Sequence, residues 1–442
     1  AEELHGDWKM VRAEFADANR HVRNDNLYQR MGTGGSGAVR RSRVYLQQAG
    51  ASARERLKAA AAAAWGVDVA AVSAKDSVLS SGNRSGTYAE FATAAAGITF
   101  EEEPAIKTPD QFQFLGTSVA RLDTPLKVNG SATFGIDIRL PGMVYAAIEA
   151  SPVPYGDLTS YDFDAVKDRP GVIQAVELKR NPEDLRGLQS AIVIVADTWY
   201  RAKTALELMP KTWDNRGNDG VNSEDVFAAA HAATLLPGGE VVNEGDLPAA
   251  MAAAATTVTG TFQSNYTPHA CMEPMGYTVS IANGRADCYG STQNPPGALA
   301  AVADQLGMEP ENVYQHTTFL GGGFGRRSRN DDSRQAAEIA KQVGRPVKMT
   351  WSREEDIIQG KHRPYSVARF VGALDASGNV TGMKVTAAAH SLTSHTRPSR
   401  IENGIDRGVL TGIRNMAYNV PNQYMDMHMV NTHIPLHYWR AV

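Results

Sequence analysis

An α+β fold built from more than one domain is the class this sequence predicts, and three observations predict it. The chain has 442 residues, more than the roughly 100–200 that one ordinary domain uses. Runs rich in β-branched and aromatic residues, such as Val144–Ala150, Ala191–Ala196 and 313–320, recur between segments with helical spacing, such as 200–208 and 332–343. Two glycine-rich stretches, around Gly34 and around Gly323, each run into one of the helical segments, where free backbone N–H groups favour an anion or other acceptor.

Taken in order, 8–15 reads as a strand and 28–40 as a glycine-rich loop with hydroxyls. The loop feeds a long helix ending over 59–65, with Gly66 as its stop. The stretch 101–130 opens on three glutamates, carries Pro104, Pro109 and Pro125, and reads as a linker. An α/β segment follows over 131–215, with buried strands at Val144–Ala150 and Ala191–Ala196 and a helix at 200–208. Beyond a connector containing a helix at Ser223–Ala233, strands are expected at 256–263, 277–281 and 286–291, a helix at 298–306, and a strand at 347–351. A hairpin turning at Asp375, Ala376, Ser377 and Gly378 joins 369 to 390, and Met425, Met427 and Met429 alternate as the core face of a further strand.

Composition removes several function classes. The net charge of −4 leaves no basic footprint for nucleic acid. No hydrophobic run approaches the roughly 20 residues of a membrane-spanning helix, and the start has no signal-peptide pattern. Ala1, Glu2, Glu3 and Leu4 read as the middle of a helix, so an internal fragment is expected. The 2 cysteines, Cys271 and Cys288, are too few for an iron–sulfur cluster and are expected to be buried and free. A lone His269 reads as structural, and no metal-ligating cluster is seen.

Three stretches carry chemistry. Ser291, Thr292, Gln293, Asn294 and Pro295 follow a strand. Gly321, Gly322, Gly323, Phe324 and Gly325 precede Arg326 and Arg327, and His437, Tyr438 and Trp439 precede Arg440. Individually each has a bland reading: Gln293 as a helix cap, Phe324 as core, Arg440 as a surface ion pair. The glycines 321–325 alone also admit a nicotinamide-dependent dehydrogenase, although no acidic residue follows at the expected distance.

As an ordered set these stretches resemble the molybdenum-cofactor subunit of the xanthine dehydrogenase and aldehyde oxidase family. The Gly-Gly-Gly-Phe-Gly-Arg-Arg ending, the early loop of Thr33, Gly34, Gly35 and Ser36, and the run 121–130 resemble its isoquinoline 1-oxidoreductase β-subunit branch. The resemblance implies a molybdenum-cofactor-binding domain with an inserted α/β hammerhead domain, its C-terminal portion missing. The domains would be 1–100, the linker 101–130, the hammerhead 131–215, and the first half of the cofactor domain over 216–442. It implies molybdopterin cytosine dinucleotide as cofactor, held by Thr33, Gly34, Gly35, Ser36, Gly322, Gly323, Phe324, Gly325, Arg326 and Arg440. Gln293, Phe324 and Arg440 would be the catalytic residues.

The partners implied are an aldehyde or N-heteroaromatic substrate, the remaining half of the molybdenum subunit, a small subunit with 2Fe–2S clusters, and a c-type cytochrome subunit as a further candidate. A periplasmic or membrane-associated location follows from that branch. The glutamate base of the family lies in a Gly-x-Gly-Glu stretch, which does not occur between Arg327 and Val442, so the base is expected outside this chain. The stretch containing His269 and Glu273 would support the site from behind. A non-catalytic scaffold of the same fold is the alternative.

Overall fold

The computed structural model describes residues 1–181 and 188–439. The chain divides into two compact units, the first Ala1–Ala16 with Thr33–Ala132, the second Asp17–Gly32 with Thr133–Val442.

The first unit is built on the helix Gly37–Trp65, which ends where expected, with Gly66 at φ 64° as its left-handed cap. A three-stranded antiparallel sheet, β1 (Ser73–Lys75), β2 (Val78–Ser81) and β3 (Arg84–Thr87), and the helix Tyr88–Ala96 complete it. Leu57, Ala61, Leu79 and Phe91 form its core. Two sequence expectations fail here. Glu2 and Glu3 are in a turn rather than a helix, and 8–15 holds only a 3-10 turn at Trp8–Met10, capped by the Asp7 carboxylate. Polar satisfaction decides the first case. Glu2 accepts hydrogen bonds from the N–H groups of Gln113, Phe114 and Leu115 and pairs with Lys107 at 2.7 Å. The stretch read as a linker is thereby tied to the chain start.

The second unit holds the remaining strands. These are β4 (Val144–Ala150), β5 (Asp157–Tyr161), β6 (Val172–Leu178), β7 (Ala191–Ala196) and β8 (Lys211–Asp214). Then come β9 (Gly239–Glu244), β10 (Thr256–Ser264), β11 (Gly276–Ala282), β12 (Arg285–Gly290) and β13 (Val313–Thr317). Last are β14 (Val347–Thr350), β15 (Ser366–Leu374), β16 (Val380–Ala389) and β17 (Asn422–Met429).

A seven-stranded mixed sheet runs β13-β12-β11-β14-β4-β7-β6, so strands from the α/β segment and strands from 276–350 share one sheet through the parallel β14–β4 pair. All six residues of β7 are buried because both faces are covered, as continuous apolar strands require. Val193 and Val195 pack in a cluster with the helices Pro295–Leu306 and Asp331–Val343. Ile192 and Ile194 pack against Ala202, Ala205 and Leu206 of the helix Trp199–Leu208. A second sheet, β10-β15-β16-β17-β9, contains the expected hairpin, and Met425 and Met427 are in its core.

The short segment 17–32 belongs with this unit for a specific reason. Asn19 Nδ2 donates to Glu311 O at 3.0 Å and Val313 O at 2.7 Å, at the start of β13, and Ala18 is fully buried in the large core.

Candidate functional site

The parallel pairing of β12 and β13, with Gly290 opposite Thr317, fixes where the chemistry-bearing loops meet. Parallel neighbours end at the same sheet edge, so the loop after each emerges there, which is the usual place for a ligand in such sheets. The first loop carries Gln293; the second carries the glycines. They are stitched together by the N–H of Gln293 donating to Arg327 O at 2.8 Å. The hydroxyl of Thr292 donates to the same carbonyl at 3.1 Å.

The side chain of Gln293 completes the stitch: its Oε1 accepts the N–H of Gly325 at 2.9 Å. With the oxygen so held, the amide NH2 is the donating end of the group. The loop is wound through left-handed backbone at Gly322 (φ 101°), Phe324 (φ 53°) and Gly325 (φ 109°). Phe324 pays a steric cost that glycine would not, and the residue is 41% exposed.

Glu273 supports the loop from beneath. Its Oε2 accepts from the Gly321 N–H at 3.1 Å and the Ser291 hydroxyl at 3.0 Å, and its Oε1 from the Ile136 N–H at 3.1 Å. Arg327 lies beside it at 3.4 Å and donates to the carbonyls of Gly322 and Glu273 at 2.8 and 2.6 Å.

Arg326 has a different partner from the anion the sequence expected. It is 1% exposed and grips Asp331 with both terminal nitrogens at 2.8 Å. Burial acts to lower its pKa, but Asp331 more than offsets this and holds the guanidinium charged. Burial likewise disfavours the Asp331 anion, and Arg326 together with Lys361 reverses that, so its pKa is lowered. The role the structure gives Arg326 is to clamp the loop to the first turn of the helix Asp331–Val343.

The third stretch packs on the loop through its backbone. A Cβ added to Gly325 would run into Tyr438 O. That carbonyl accepts from His269 Nε2 at 2.7 Å. Ser328 Oγ donates to Gly325 O at 2.6 Å and lies 2.7 Å from His437 Nε2, which makes His437 the donor in that pair. Burial lowers the pKa of His269 to about 4 and that of His437 to about 2, so both are neutral at ordinary pH. Sequence reasoning missed Ser328, His437 and Asp331; only their place inside the flanking motifs signalled them.

Gln293, Gly322, Gly323, Phe324, Gly325 and Arg326 therefore converge in the second unit. Thr33, Gly34, Gly35 and Ser36 lie in the first unit at the start of the helix Gly37–Trp65, and Arg440 lies outside the described residues. Cys271 and Cys288 are buried and free, and among the described residues no cluster of His, Cys, Asp or Glu could hold a metal ion.

An organic cofactor rich in acceptors fits what is present. The N–H groups of Gly322 and Gly323 have no acceptor among the described residues. Nor, among those residues, does the buried Arg327 Nη1 donor have a partner. Unpaired buried groups of this kind are costly unless a ligand or water meets them.

Residues 233–439 match the model of the molybdopterin cofactor-binding domain. Over its whole length the chain is 27% identical to isoquinoline 1-oxidoreductase subunit beta of Brevundimonas diminuta, covering 62% of that protein. It is 28% identical, over 67% of its length, to the aldehyde oxidoreductase molybdenum-binding subunit of Escherichia coli K12, covering 42% of it. The chain thus spans about half the length of the curated relatives it matches. Among solved structures, quinoline 2-oxidoreductase from Pseudomonas putida 86 shares the fold, with a TM-score of 0.55 at 19% identity, over 74% of this chain and 46% of the other.

Proposed function

For a chain that is part of a molybdenum-cofactor-binding subunit of the xanthine dehydrogenase and aldehyde oxidoreductase family, we propose a role in oxidising an aldehyde or N-heteroaromatic ring with water as the oxygen source. The cofactor is molybdopterin cytosine dinucleotide, and the electrons leave through 2Fe–2S clusters on a small partner subunit, with a c-type cytochrome as a further acceptor. The parent protein is periplasmic or membrane-associated in this reading. The observation that carries the reading is the Gly325–Gln293 hydrogen bond, which ties the Gln293 amide and the glycine loop into one surface while the Gly322 and Gly323 N–H groups have no acceptor among the described residues.

When bound, the cofactor supplies an electrophilic oxygen and accepts the electron pair. This chain's residues bind and orient. Gln293 donates its amide N–H toward the cofactor's polar atoms, and the N–H groups of Gly322 and Gly323 donate to it where a side chain would block approach. Phe324 sets the plane of a flat substrate against its exposed ring. Arg440 adds a planar donor fork, and Thr33, Gly34, Gly35 and Ser36 keep a cofactor-contact role on the resemblance alone. The general base is supplied by the remaining half of the subunit.

The test uses the complete parent protein with its partner subunits. Elemental analysis should give close to one molybdenum per subunit, and acid hydrolysis should release cytidine monophosphate. Recovery of a nicotinamide nucleotide without molybdenum would overturn the proposal in favour of a dehydrogenase.

A further inference from the structure

A cavity of about 370 Å³ shares no lining residue with the glycine loop. Apolar side chains of Ile148, Pro152, Trp199, Leu206 and Ile358 form much of its wall. The indole of Trp199 is fixed by donating to Thr350 O at 2.9 Å. Among the charged residues at its lining, four carboxylates face one lysine. Glu149 is committed to Lys211 at 2.7 Å, Glu207 pairs with Lys203, and Glu354 is on the exposed side.

Glu355 is different. It is 7% exposed, and its Oε1 accepts the Ala150 N–H at 2.8 Å. Among the described residues its Oε2 has no hydrogen-bond partner and no basic residue within ion-pair distance. Beside it, Gln359 is 2% exposed and donates Nε2 to Ser151 O at 2.6 Å, which leaves its carbonyl oxygen as a further acceptor. The cavity therefore combines apolar walls with acceptors that lack donors, and a buried carboxyl in that position calls for a ligand that brings both hydrogens and positive charge.

We propose that this cavity binds a small organic ammonium ion, with its apolar body along the Trp199 and Ile148 wall and its cationic head on Glu355 and Gln359. A volume of this size suits a single-ring or short-chain amine. Burial, with Glu149 adding like charge, raises the Glu355 pKa to about 8, while the Ala150 N–H and Lys211 act the other way. Glu355 is thus protonated near neutral pH when the cavity is empty, and an ammonium ion must displace that proton to bind. Affinity rises with pH until the carboxyl ionises unaided. The site is independent of the molybdenum-cofactor reading, so each can fail without the other.

The experiment is a calorimetric titration of the full parent polypeptide with benzylammonium chloride, and with benzyl alcohol as its neutral counterpart, at pH 6, 7 and 8. Expected is saturable benzylammonium binding at least about tenfold tighter than the alcohol. Its Kd should fall by close to tenfold from pH 6 to 7 and by less from 7 to 8, with proton release visible as a buffer-dependent heat. Glu355→Gln keeps an acceptor for Ala150 and should lose both the preference and the pH dependence. Ile358→Trp, at an exposed lining position, should block the cavity with Glu355 intact. Absence of saturable binding below about 10 mM, equal affinity for the two probes, or unchanged binding in either variant sinks the proposal.

Discussion

Gly323 and Gly325 are both glycine, but for different reasons. At Gly325 the backbone is left-handed, φ 109°, and a Cβ would strike the Tyr438 carbonyl, which is main chain and cannot step aside. At Gly323 a Cβ would come within 2.6 Å of Gln293 Oε1, which the Gly325 N–H holds, and 2.8 Å of Leu320 Cδ2, so side chains rather than main chain must shift. Gly325→Ala should therefore cost at least about 2 kcal/mol of stability, and Gly323→Ala less, about 1 kcal/mol, because only side chains shift, at the expense of the Gln293–Gly325 hydrogen bond. Urea unfolding of the two variants checks this, and equal losses would contradict it. The amide chemistry of Gln293 was legible in the sequence because its residue type and its place after a strand suffice to state it. The burial of Arg326 was not, since a guanidinium near glycines looks the same whether it faces a ligand or Asp331.

Element boundaries were largely legible where two local signals agree. The helix Asp331–Val343 begins one residue before the expected 332 and ends at Val343 as expected, with Gly344 at φ 67° as its stop. The helix Pro295–Leu306 starts three residues before the expected 298 because Asn294, not Gln293, caps it, accepting the Gly297 N–H at 3.3 Å. Not needed as a cap, Gln293 turns to the glycine loop. Asn294→Ala should lower stability by about 1 kcal/mol and, through the start of that helix, loosen the Gln293 loop. Thermal unfolding gives the first, and faster amide exchange at Gly325 the second. The expected strand at 8–15 did not form because alternation makes a strand only where a neighbouring edge accepts its hydrogen bonds, and Asp7 offered the local N–H groups a cap instead.

On the scale of the molecule, buried carboxyls set how stability changes with pH. Burial first, and the adjacent Asp331 second, raise the Asp332 pKa to about 7, and among the described residues its Oδ2 has no partner. The native state therefore holds a proton that the unfolded chain, with its carboxyl at about 3.9, releases. This contribution is complete below about pH 4 and is lost as pH rises to about 7, so Asp332→Asn should flatten the fall in stability across that window. Thermal midpoints at pH 5 and pH 8 measure it, and an unchanged slope in the variant would falsify the assignment. Residue type and local spacing determined by themselves the α+β class, the two glycine loops, the buried free cysteines and the run of motifs, because each depends on near neighbours along the chain. Only tertiary structure decided that β14 and β4 join the α/β segment to the strands of 276–350, that Arg326 is a clamp, and that, among the described residues, Glu355 Oε2 lacks a donor. Those outcomes depend on which groups reach one another from distant parts of the chain, or on which side of a turn a charge is buried, and no local pattern encodes either.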